Sequence, residues 1–541
     1  MKDISSTGSF VDFTLENFIY VDKTVYIPQL VKLKRVFISR PRRFGKSLTL
    51  DTIATLFETG VEPYFKGTWI YDKWTEPTYP VLRLNFLNFD KNSLEKFNNK
   101  LNSKITEFAE LNKVTTYKEK EEAEDSIDHL LEQLRLENRQ IVILIDEYDC
   151  QMTANINNET LYKQFQEKIK SFYANIKDKF AIKFLGITGV TRLKDVSIFS
   201  VGSDINDITN ASAYSQMIGF TRDEIKKYYI DYLKLASSYE NNCSVGDVTD
   251  TQLESMLDMM AQNYDGYCFD EDYEKKVFST WSVNKFFQTM IEKKKVQFGE
   301  YWYDNGGLPS ILVNYLKTHE LNIFEYLDKD KFLKVSSDDF KNPTALTTIN
   351  QNVLMCQTGY LTLRSDLNKT STVALGIPNG EIYKALNRLL ANNIFKGNTD
   401  ITDDYGRSLL EVGTVDDIIN LFNSALNSVS YDNYPIVSES SVQNMLKLYL
   451  LGAHQEVLSE VHEAKGRADL VVNTDNRRIV FEFKYAKNEA EAKSKLSEAV
   501  EQIKTRDYGN ILPKKNELIR IAAVFNADPK VRAFTENQIV P

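Results

Sequence analysis

The chain has few cysteines and few histidines, and it lacks a long apolar run. Its four cysteines lie far apart at positions 150, 243, 268 and 356, and no two of them form a Cys-x-x-Cys pair. Neither a disulfide framework nor a thiolate zinc site is therefore expected. The N-terminus lacks the apolar core of a signal peptide, and no segment approaches a membrane span in length. We expect a soluble, cytoplasmic protein that does not bind a membrane.

The chain also lacks a positive net charge. It carries 66 Lys and Arg against 76 Asp and Glu, which gives a net charge of -10. This balance excludes a globally basic protein that coats nucleic acid, so any contact with nucleic acid must come from a local patch. The hydrophobic content of 42% is ordinary for globular proteins. The length of 541 residues leaves room for about three domains.

The segment 36–50 predicts a phosphate-binding loop. A short apolar run precedes a basic loop, and Gly45-Lys46-Ser47 then opens a helical apolar pattern. Backbone N–H groups at the start of such a helix, together with its dipole, favour a polyphosphate. In this arrangement Lys46 contacts the outer phosphates and Ser47 holds Mg²⁺. The loop residues that would bind the phosphates are Arg40, Pro41, Arg42, Arg43, Phe44, Gly45, Lys46, Ser47 and Leu48.

One position departs from the usual pattern of such loops. Arg40 stands where a glycine normally precedes the Gly-Lys pair by five positions. We interpret this as a loop shaped by Pro41 rather than by a flexible glycine. The alternative is a basic helix N-terminus without a ligand, which the strand before the loop and the helix after it make less favourable.

A second part of the predicted nucleotide site follows about a hundred residues later. Five consecutive aliphatic residues, 141–145, indicate a fully buried parallel strand, and Asp146 and Glu147 follow directly. Asp146 is placed to complete the Mg²⁺ shell. Glu147 is placed to orient or deprotonate the attacking water. The order of the two segments along the chain strengthens the assignment of both.

The segment 180–192 predicts another central strand with a polar end. Thr188 and Arg192 would lie near the phosphates. We assign Thr188 a role in sensing the nucleotide. For Arg192 two interpretations remain, since it can sense the γ-phosphate or form an ion pair with an acid.

The C-terminal part predicts a second charged site. Glu482 and Lys484 are two residues apart in a candidate strand, so their side chains point to the same face. Asp469 begins a neighbouring candidate strand and can meet them. Two carboxylates and a lysine make a Mg²⁺ site beside a base or a charge stabiliser, which suits hydrolysis of a phosphodiester by metal-activated water. The alternative is an exposed charge pair without a ligand.

Three more polar residues are candidates for this second site. Glu439 and Glu460 are both candidates for a further acidic metal ligand. Glu439 lies where a helix would begin, so it can equally be a first-turn acid favoured by the helix dipole. Gln502 lies near the end of a predicted helix over 490–505 and would brace the site.

Together these residues resemble the bacterial AAA-ATPase-like family that is fused at its C-terminus to a nuclease domain of the PD-(D/E)XK type. The resemblance covers nearly the whole chain, and Arg40 in the loop is itself usual for that family. It is carried by the segments Tyr20–Thr24, Arg40–Ser47, Asp146–Asp149, Thr188–Arg192, Tyr264–Tyr267, Gln357–Tyr360, Ile377–Asn379, Gly466–Asp469, Glu482–Lys484 and Gln502.

The resemblance implies an α/β fold with two parts. The first is a P-loop NTPase (AAA-like) parallel sheet with a helical lid and connector. The second is a C-terminal restriction-endonuclease-like domain of order αβββαβ. We expect the ATPase domain with its lid over residues 1–295. A connector of helical or winged-helix type would follow over 296–430, and the nuclease-like domain over 431–541.

The resemblance also implies Mg²⁺-ATP binding. We expect a nucleic-acid partner, DNA more than RNA, and the sequence leaves open which of the two is the substrate. Mn²⁺ can replace Mg²⁺ at the second site, and homo-oligomerisation is left open. The function expected first is ATP hydrolysis coupled to metal-dependent cleavage of nucleic acid. The alternative is an ATPase switch whose nuclease-like domain is inactive and only binds nucleic acid or a protein. The residues assigned to catalysis are Glu147, Asp469, Glu482, Lys484 and Gln502.

Overall fold

The computed structural model describes residues 1–176, 179–193, 204–302, 310–316, 323–343, 345–369, 371–395, 406–453, 455–463, 466–509 and 517–541. The chain divides into two compact units, Met1–His319 with Phe332–Ile382, and Glu320–Lys331 with Tyr383–Pro541. Residues of the expected connector, 296–430, fall in both units, and the three-domain division stays a prediction. Within the described residues, no helix combines the length and the apolarity that crossing a bilayer requires.

The first unit contains a five-stranded sheet in which all neighbouring strands are parallel. Its strands are β1 Arg35–Ser39, β2 Val81–Asn85, β3 Ile141–Asp146, β4 Ile182–Gly189 and β5 Asn206–Asp207. They are arranged in the order β2-β3-β4-β1-β5. Every residue of β3 is buried, as its aliphatic run predicts. Because the strands are parallel, the loops after β1, β3 and β4 leave the sheet at one edge.

Helices cover this sheet and continue beyond it. They are α1 Phe10–Leu15, α2 Ile27–Leu33, α3 Lys46–Thr59, α4 Leu94–Leu111, α5 Ala123–Leu136, α6 Cys150–Ala154, α7 Glu159–Ile176, α8 Arg222–Tyr228, α9 Ile230–Asn241, α10 Asp250–Tyr264, α11 Thr280–Lys293, α12 Ser310–Leu316, α13 Ser337–Lys341 and α14 Gln351–Thr358. A small antiparallel sheet in this unit consists of β6 Leu333–Ser336, β7 Thr362–Leu363 and β8 Thr372–Gly376.

Helices α8 to α11 form a separate apolar core, as a lid of an ATPase unit requires. Thr221 caps α8 and Glu224 returns the hydrogen bond, which forms a capping box. Tyr229 stacks on Phe287 at a ring distance of 5.4 Å, and Leu233 is fully buried beside them. Burial of these large side chains, at roughly 25 cal/mol per Å² of apolar surface, holds the four helices together.

The second unit is built on a mixed five-stranded sheet. Its elements are α15 Gly380–Ile394, α16 Arg407–Val412, α17 Val415–Asn427, α18 Glu439–Gly452, β9 Glu456–Glu463, β10 Gly466–Asn473, β11 Arg477–Ala486, α19 Glu489–Arg506, β12 Glu517–Asn526 and β13 Ala533–Ile539. The sheet order is β13-β12-β11-β10-β9. From α18 to β12 the order along the chain is αβββαβ, and this confirms the predicted fold class. Strand β13 extends the sheet antiparallel to β12.

The two faces of this sheet carry different chemistry, because side chains alternate along β11. Phe481 and Phe483 stack on each other at 5.5 Å and belong to the face where Phe422 of α17 packs. The opposite face carries Val480, which packs on Ile503 of α19. Glu482 and Lys484 belong to that second face by alternation. The sequence pattern of β11 thus places both charges on one side of an otherwise apolar strand.

We predict that Gly266→Ala destabilises the first unit far more than Gly67→Ala. Both glycines have left-handed backbone, with φ of 93° and 87°, so both variants incur the same strain of about 1–2 kcal/mol. A Cβ on Gly266 would also collide with the carbonyl oxygen of Pro378, whereas one on Gly67 meets no atom of the described part of the chain within 4 Å. The collision should add at least about 2 kcal/mol. Thermal and urea denaturation measure the difference, and equal losses in the two variants would contradict it.

Candidate active sites

The loop between β1 and α3 folds around its own lysine. Two of its residues have left-handed backbone, Arg43 with φ of 68° and Gly45 with φ of 105°. Lys46 is buried, and its Nζ donates to the carbonyl oxygens of Arg40 at 3.0 Å and Pro41 at 3.2 Å. Its other neighbour is the carboxylate of Glu147, at 3.6 Å. The ammonium therefore lies inside the loop, where a phosphate can replace the carbonyl oxygens as its partner.

The structure brings together three predicted residues from three different elements. Ser47 Oγ, in the first turn of α3, donates to Asp146 Oδ2 at 2.6 Å. Thr188 Oγ1, near the end of β4, donates to Asp146 Oδ1. Asp146 ends β3 and is buried. A buried carboxylate beside a serine hydroxyl at a phosphate loop is a donor set that suits Mg²⁺.

Glu147 lies next to this cluster in a strained conformation, with φ of 53°. Burial raises the pKa of Glu147; Lys46 opposes the rise, and Asp149 and Asp146 add to it. A carboxylate with a raised pKa beside the loop is suited to accept a proton from water. Asp149 was not singled out as a site residue from the sequence. It accepts hydrogen bonds from Thr191 N at 2.7 Å and Thr191 Oγ1 at 2.6 Å and so fixes the chain after β4.

Arg40 points its side chain into the protein rather than towards the centre of the loop. Its guanidinium donates to Ser39 O at 2.9 Å and Thr209 O at 2.6 Å, and it lies 4.1 Å above the ring of Phe269. Burial lowers the pKa of Arg40 to about 9. The side chain therefore anchors the loop to the sheet, and the part of Arg40 that reaches the lysine is its carbonyl oxygen.

Arg192 forms an ion pair with Asp207. Of the two interpretations that the sequence left open, the structure shows the ion pair. Its backbone is held by Gln357 of α14, whose Oε1 accepts from Arg192 N and whose Nε2 donates to Arg192 O, both at 3.2 Å. The loop after β4 is thus fixed at a residue that follows Thr188 by four positions.

The remaining loop residues pack against segments in which no catalytic or binding residue was predicted from the sequence. Phe44 is buried edge-on against Tyr267 at 4.7 Å, and Arg43 lies 4.1 Å above the ring of Trp281. Pro41 packs closely on Gly359. These contacts show that the segments around Gly266 and Gly359 support the loop.

A cavity of about 520 Å³ adjoins the loop. Its walls include Arg42 to Thr49 of the loop and α3, Ser5 to Gly8 near the N-terminus, Met217 to Phe220, and Trp281. Leu48 is therefore a wall residue of the cavity. A volume of this size, apolar over much of its wall and with polar groups at one end, is typical of a site for a nucleotide-sized ligand.

The second predicted site is also assembled in the structure. Lys484 Nζ donates to Glu482 Oε1 at 2.8 Å and contacts Glu439 Oε1 at 3.3 Å. Asp469 Oδ2 accepts a hydrogen bond from Phe483 N at 2.8 Å. Strand alternation on β11 and the pairing of β10 with β11 thus bring the charged groups to one place.

The two carboxylates of this site are poorly solvated. Burial raises the pKa of Glu482 to about 7, and the charge of Asp469 adds to the rise. Burial also raises the pKa of Asp469 to about 6, with Phe483 N and Lys484 opposing it. Glu482 Oε2 is buried without a hydrogen-bond partner among the described residues. An orphaned carboxylate oxygen beside a second carboxylate fits a divalent cation, which would satisfy both.

Lys484 is protonated at neutral pH. Burial acts to lower its pKa, but the hydrogen bond to Glu482 and the charges of Glu439 and Asp469 outweigh this, so the pKa is raised. The sequence allowed either a base or a charge stabiliser. In this environment the ammonium is suited to stabilise negative charge and not to accept a proton.

The candidates for a third carboxylate ligand are already engaged. Glu439 contacts Lys484, and Glu460, which has φ of 55°, forms an ion pair with Arg467. Within the described part of the chain, no group of three or more His, Cys, Asp or Glu residues is placed to hold a metal. A Mg²⁺ ion here would rest on Asp469 and Glu482, with water completing its shell.

Two further polar residues border the site. Gln502 Nε2 donates to Tyr508 Oη at 3.4 Å and makes no hydrogen bond to Asp469, Glu482 or Lys484 in the part that the structure describes. Gln443 was not singled out from the sequence. Its amide donates to Glu460 Oε1 at 3.1 Å and to Asp469 O. It follows Glu439 by four positions on α18, so the helical spacing between the two residues was the sequence signal by which it could have been identified.

Two segments of the chain match models of known families. Residues 5–199 match a family described as predicted AAA-ATPase, and residues 437–535 match the PD-(D/E)XK nuclease superfamily. The first match contains Lys46, Asp146 and Thr188, and the second contains Asp469 and Glu482. The architecture that the motifs predicted is confirmed.

Individual relatives add little about function. The chain is 26% identical over 533 residues to an uncharacterised protein in the vnfD 5′ region of Azotobacter chroococcum mcd 1, covering 95% of this chain and 94% of that protein. Among solved structures, a Walker-type ATPase of Pyrococcus abyssi aligns at 11% identity with a TM-score of 0.36, over 69% of this chain and 96% of its own. Cdc6p of Pyrobaculum aerophilum aligns at 10% identity with a TM-score of 0.21, over 68% and 91%. Both scores are too low to support a conclusion about fold.

We predict that the metal-free chain loses stability as pH rises from about 4 to about 7 through Asp469 and Glu482. Their pKa values are 3.8 and 4.5 in an ordinary setting and about 6 and about 7 when folded. The folded state therefore binds more protons in this window, and its stability falls with rising pH. Melting temperatures measured in EDTA should fall less with pH in Glu482→Gln than in the unaltered chain.

Two controls complete this experiment. Glu489→Gln removes an exposed carboxylate of α19 and should keep the pH profile of the unaltered chain. Added Mg²⁺ should raise the melting temperature of the unaltered chain above pH 7, where both carboxylates are ionised, because the cation offsets their repulsion. If the melting temperature of Glu482→Gln had the same pH dependence as that of the unaltered chain, Asp469 and Glu482 would not lower the stability as the pH rises, and the prediction would be wrong.

Proposed function

Because the chain joins a predicted AAA-ATPase segment to a PD-(D/E)XK nuclease superfamily segment, we propose that it hydrolyses ATP and that this activity is coupled to metal-dependent cleavage of nucleic acid. The observation that carries the proposal is the assembly of two separate charged clusters, one around Asp146 and one around Glu482. Each cluster combines a buried carboxylate, Asp146 or Glu482, with a buried lysine. Burial of this kind is costly unless a ligand or a partner charge compensates it.

In the ATPase unit each residue has a distinct task. Lys46 and the first N–H groups of α3 bind the phosphates. Ser47 and Asp146 would hold Mg²⁺, with Thr188 fixing the carboxylate through its hydrogen bond to Asp146 Oδ1. Glu147, with its raised pKa, accepts the proton of the attacking water. The cavity of about 520 Å³ beside the loop accommodates the rest of the nucleotide.

In the second unit Asp469 and Glu482 would hold the divalent ion, which supplies an activated water and positive charge at the scissile phosphate. Lys484, protonated and 2.8 Å from Glu482, stabilises the negative charge that develops there. Gln443 positions Asp469 through the hydrogen bond to its carbonyl oxygen. We expect nucleic acid as the substrate, DNA more than RNA, and the cleavage assay below distinguishes the two.

We predict that Lys46→Ala abolishes tight ATP binding and leaves the fold intact. The substitution removes a charge that bonds to phosphates, so affinity should fall by about 100-fold or more. Calorimetric titration with a non-hydrolysable ATP analogue measures the loss, and circular dichroism checks the fold. Lys100→Ala, an exposed lysine of α4, is the matched control. Unchanged affinity in Lys46→Ala would refute the phosphate assignment.

We predict that Asp469→Ala and Glu482→Ala each abolish nucleic-acid cleavage in Mg²⁺ or Mn²⁺ and leave ATP affinity unchanged, because the two clusters use different residues. The assay tests single- and double-stranded DNA and RNA, with and without ATP, beside Glu489→Ala as a control. Cleavage that survives both variants would contradict the site. No cleavage by the unaltered chain under any of these conditions would favour the alternative, an ATPase switch whose nuclease-like unit only binds a partner.

A further inference from the structure

Arg42 lines the cavity beside the phosphate loop. Neither the fold nor the proposed metal site explains the presence of this arginine. Of the arginines singled out there, Arg40 bonds to backbone carbonyls, Arg43 stacks on Trp281, and Arg192 pairs with Asp207. Arg42 is different. Among the residues that the structure describes, its guanidinium has no hydrogen bond or ion pair.

Arg42 lies beside the groups that would act on the terminal phosphate. It lines the same cavity as Lys46, Ser47 and Glu147. Its charge is near enough to Glu147 to oppose the rise in the pKa of that carboxyl. An arginine that shares a cavity with the phosphate-binding lysine and lies near the proton acceptor can reach the negative charge that develops during phosphoryl transfer.

The backbone around Arg42 is fixed from two sides. Trp302 Nε1 donates to Arg42 O at 3.4 Å, and Thr280 Oγ1 donates to Arg43 O at 2.9 Å. Arg43 has left-handed backbone and its side chain is held by Trp281. A cation on a fixed backbone stabilises a transition state better than one on a mobile loop, since less reorganisation is needed.

We propose that Arg42 is a catalytic residue of ATP hydrolysis, a cation supplied by the same chain that contacts the γ-phosphate. In the reaction a water oxygen forms a bond to the γ-phosphorus while the bond to the β,γ-bridging oxygen breaks. ADP leaves with the bridging oxygen, the water proton goes to Glu147, and Arg42 stabilises the charge on the transferring phosphoryl group. The assignment rests on the proposed ATPase function. It adds that hydrolysis does not need an arginine from a second copy.

The test compares Arg42→Ala and Arg42→Lys with the unaltered full-length chain and with Arg135→Ala, an exposed arginine of α5 paired with Glu132. In Arg42→Ala, kcat should fall by about 10³-fold or more while KM for ATP changes little. Arg42→Lys should recover only part of kcat, because lysine lacks the planar fork. Binding of ADP with orthovanadate, which mimics the transferring phosphoryl group, should weaken strongly in Arg42→Ala, and binding of ADP alone should not.

The outcomes separate this inference from the function it rests on. If the unaltered chain hydrolyses no ATP, both are wrong. If it hydrolyses ATP and Arg42→Ala keeps the kcat of Arg135→Ala, the inference alone is wrong. A rise of KM without a fall in kcat would make Arg42 a ground-state ligand and contradict the inference. Specific activity should stay constant over a wide range of protein concentration. Activity that appears only as the concentration rises would point to a cation from a second copy.

Discussion

The candidate nucleotide site of the first unit is centred on the contact between Ser47 and Asp146. The two side chains come from elements ninety-nine positions apart in sequence and meet at 2.6 Å. They meet because β1 and β3 are parallel strands of one sheet and both release their next residues at the same edge. Thr188 from β4, the strand between them, closes the group. The parallel sheet therefore converts three distant sequence segments into one set of oxygen ligands.

In the second unit, antiparallel pairing of strands also brings charged residues from separate sequence segments into one cluster. Asp469 on β10 and Glu482 on β11 lie on adjacent strands, and alternation along β11 adds Lys484 on the same face. In both units a buried lysine lies beside carboxylates. The difference lies in what compensates the carboxylates. Asp146 is hydrogen-bonded on both oxygens, whereas Glu482 Oε2 has no hydrogen-bond partner among the residues that the structure describes. The need for a ligand is therefore more evident in the second unit.

The sequence was most informative where one rule of local geometry decides the outcome. Strand ends and strand alternation were enough to predict that Ser47 meets Asp146 and that Glu482 meets Lys484. The sequence was less informative where a distant contact decides. Arg40 and Arg42 belong to the same basic loop, yet only the side chain of Arg40 points into the protein, where it contacts Thr209 and Phe269. The local pattern does not contain that information.

The same limit explains the residues that the sequence missed or left open. Gln443 has helical spacing from Glu439, but its role becomes clear only when α18 is packed on β9 and β10. Gln357 lies near the end of α14 and Gly359 directly follows that helix, and their contacts with Arg192 and Pro41 are made across more than 150 positions. Glu460 was a candidate ligand on charge alone, and its ion pair with Arg467 depends on the pairing of β9 with β10.

We propose that the chain holds two independent divalent-cation sites, and that only one of them requires a nucleotide. Titration of the full-length chain with Mn²⁺, followed by electron paramagnetic resonance, tests it most directly. We expect Mn²⁺ to bind without nucleotide at Asp469 and Glu482, and an additional ion to bind when a non-hydrolysable ATP analogue is present. Absence of binding without nucleotide, or no additional ion with it, would contradict the claim.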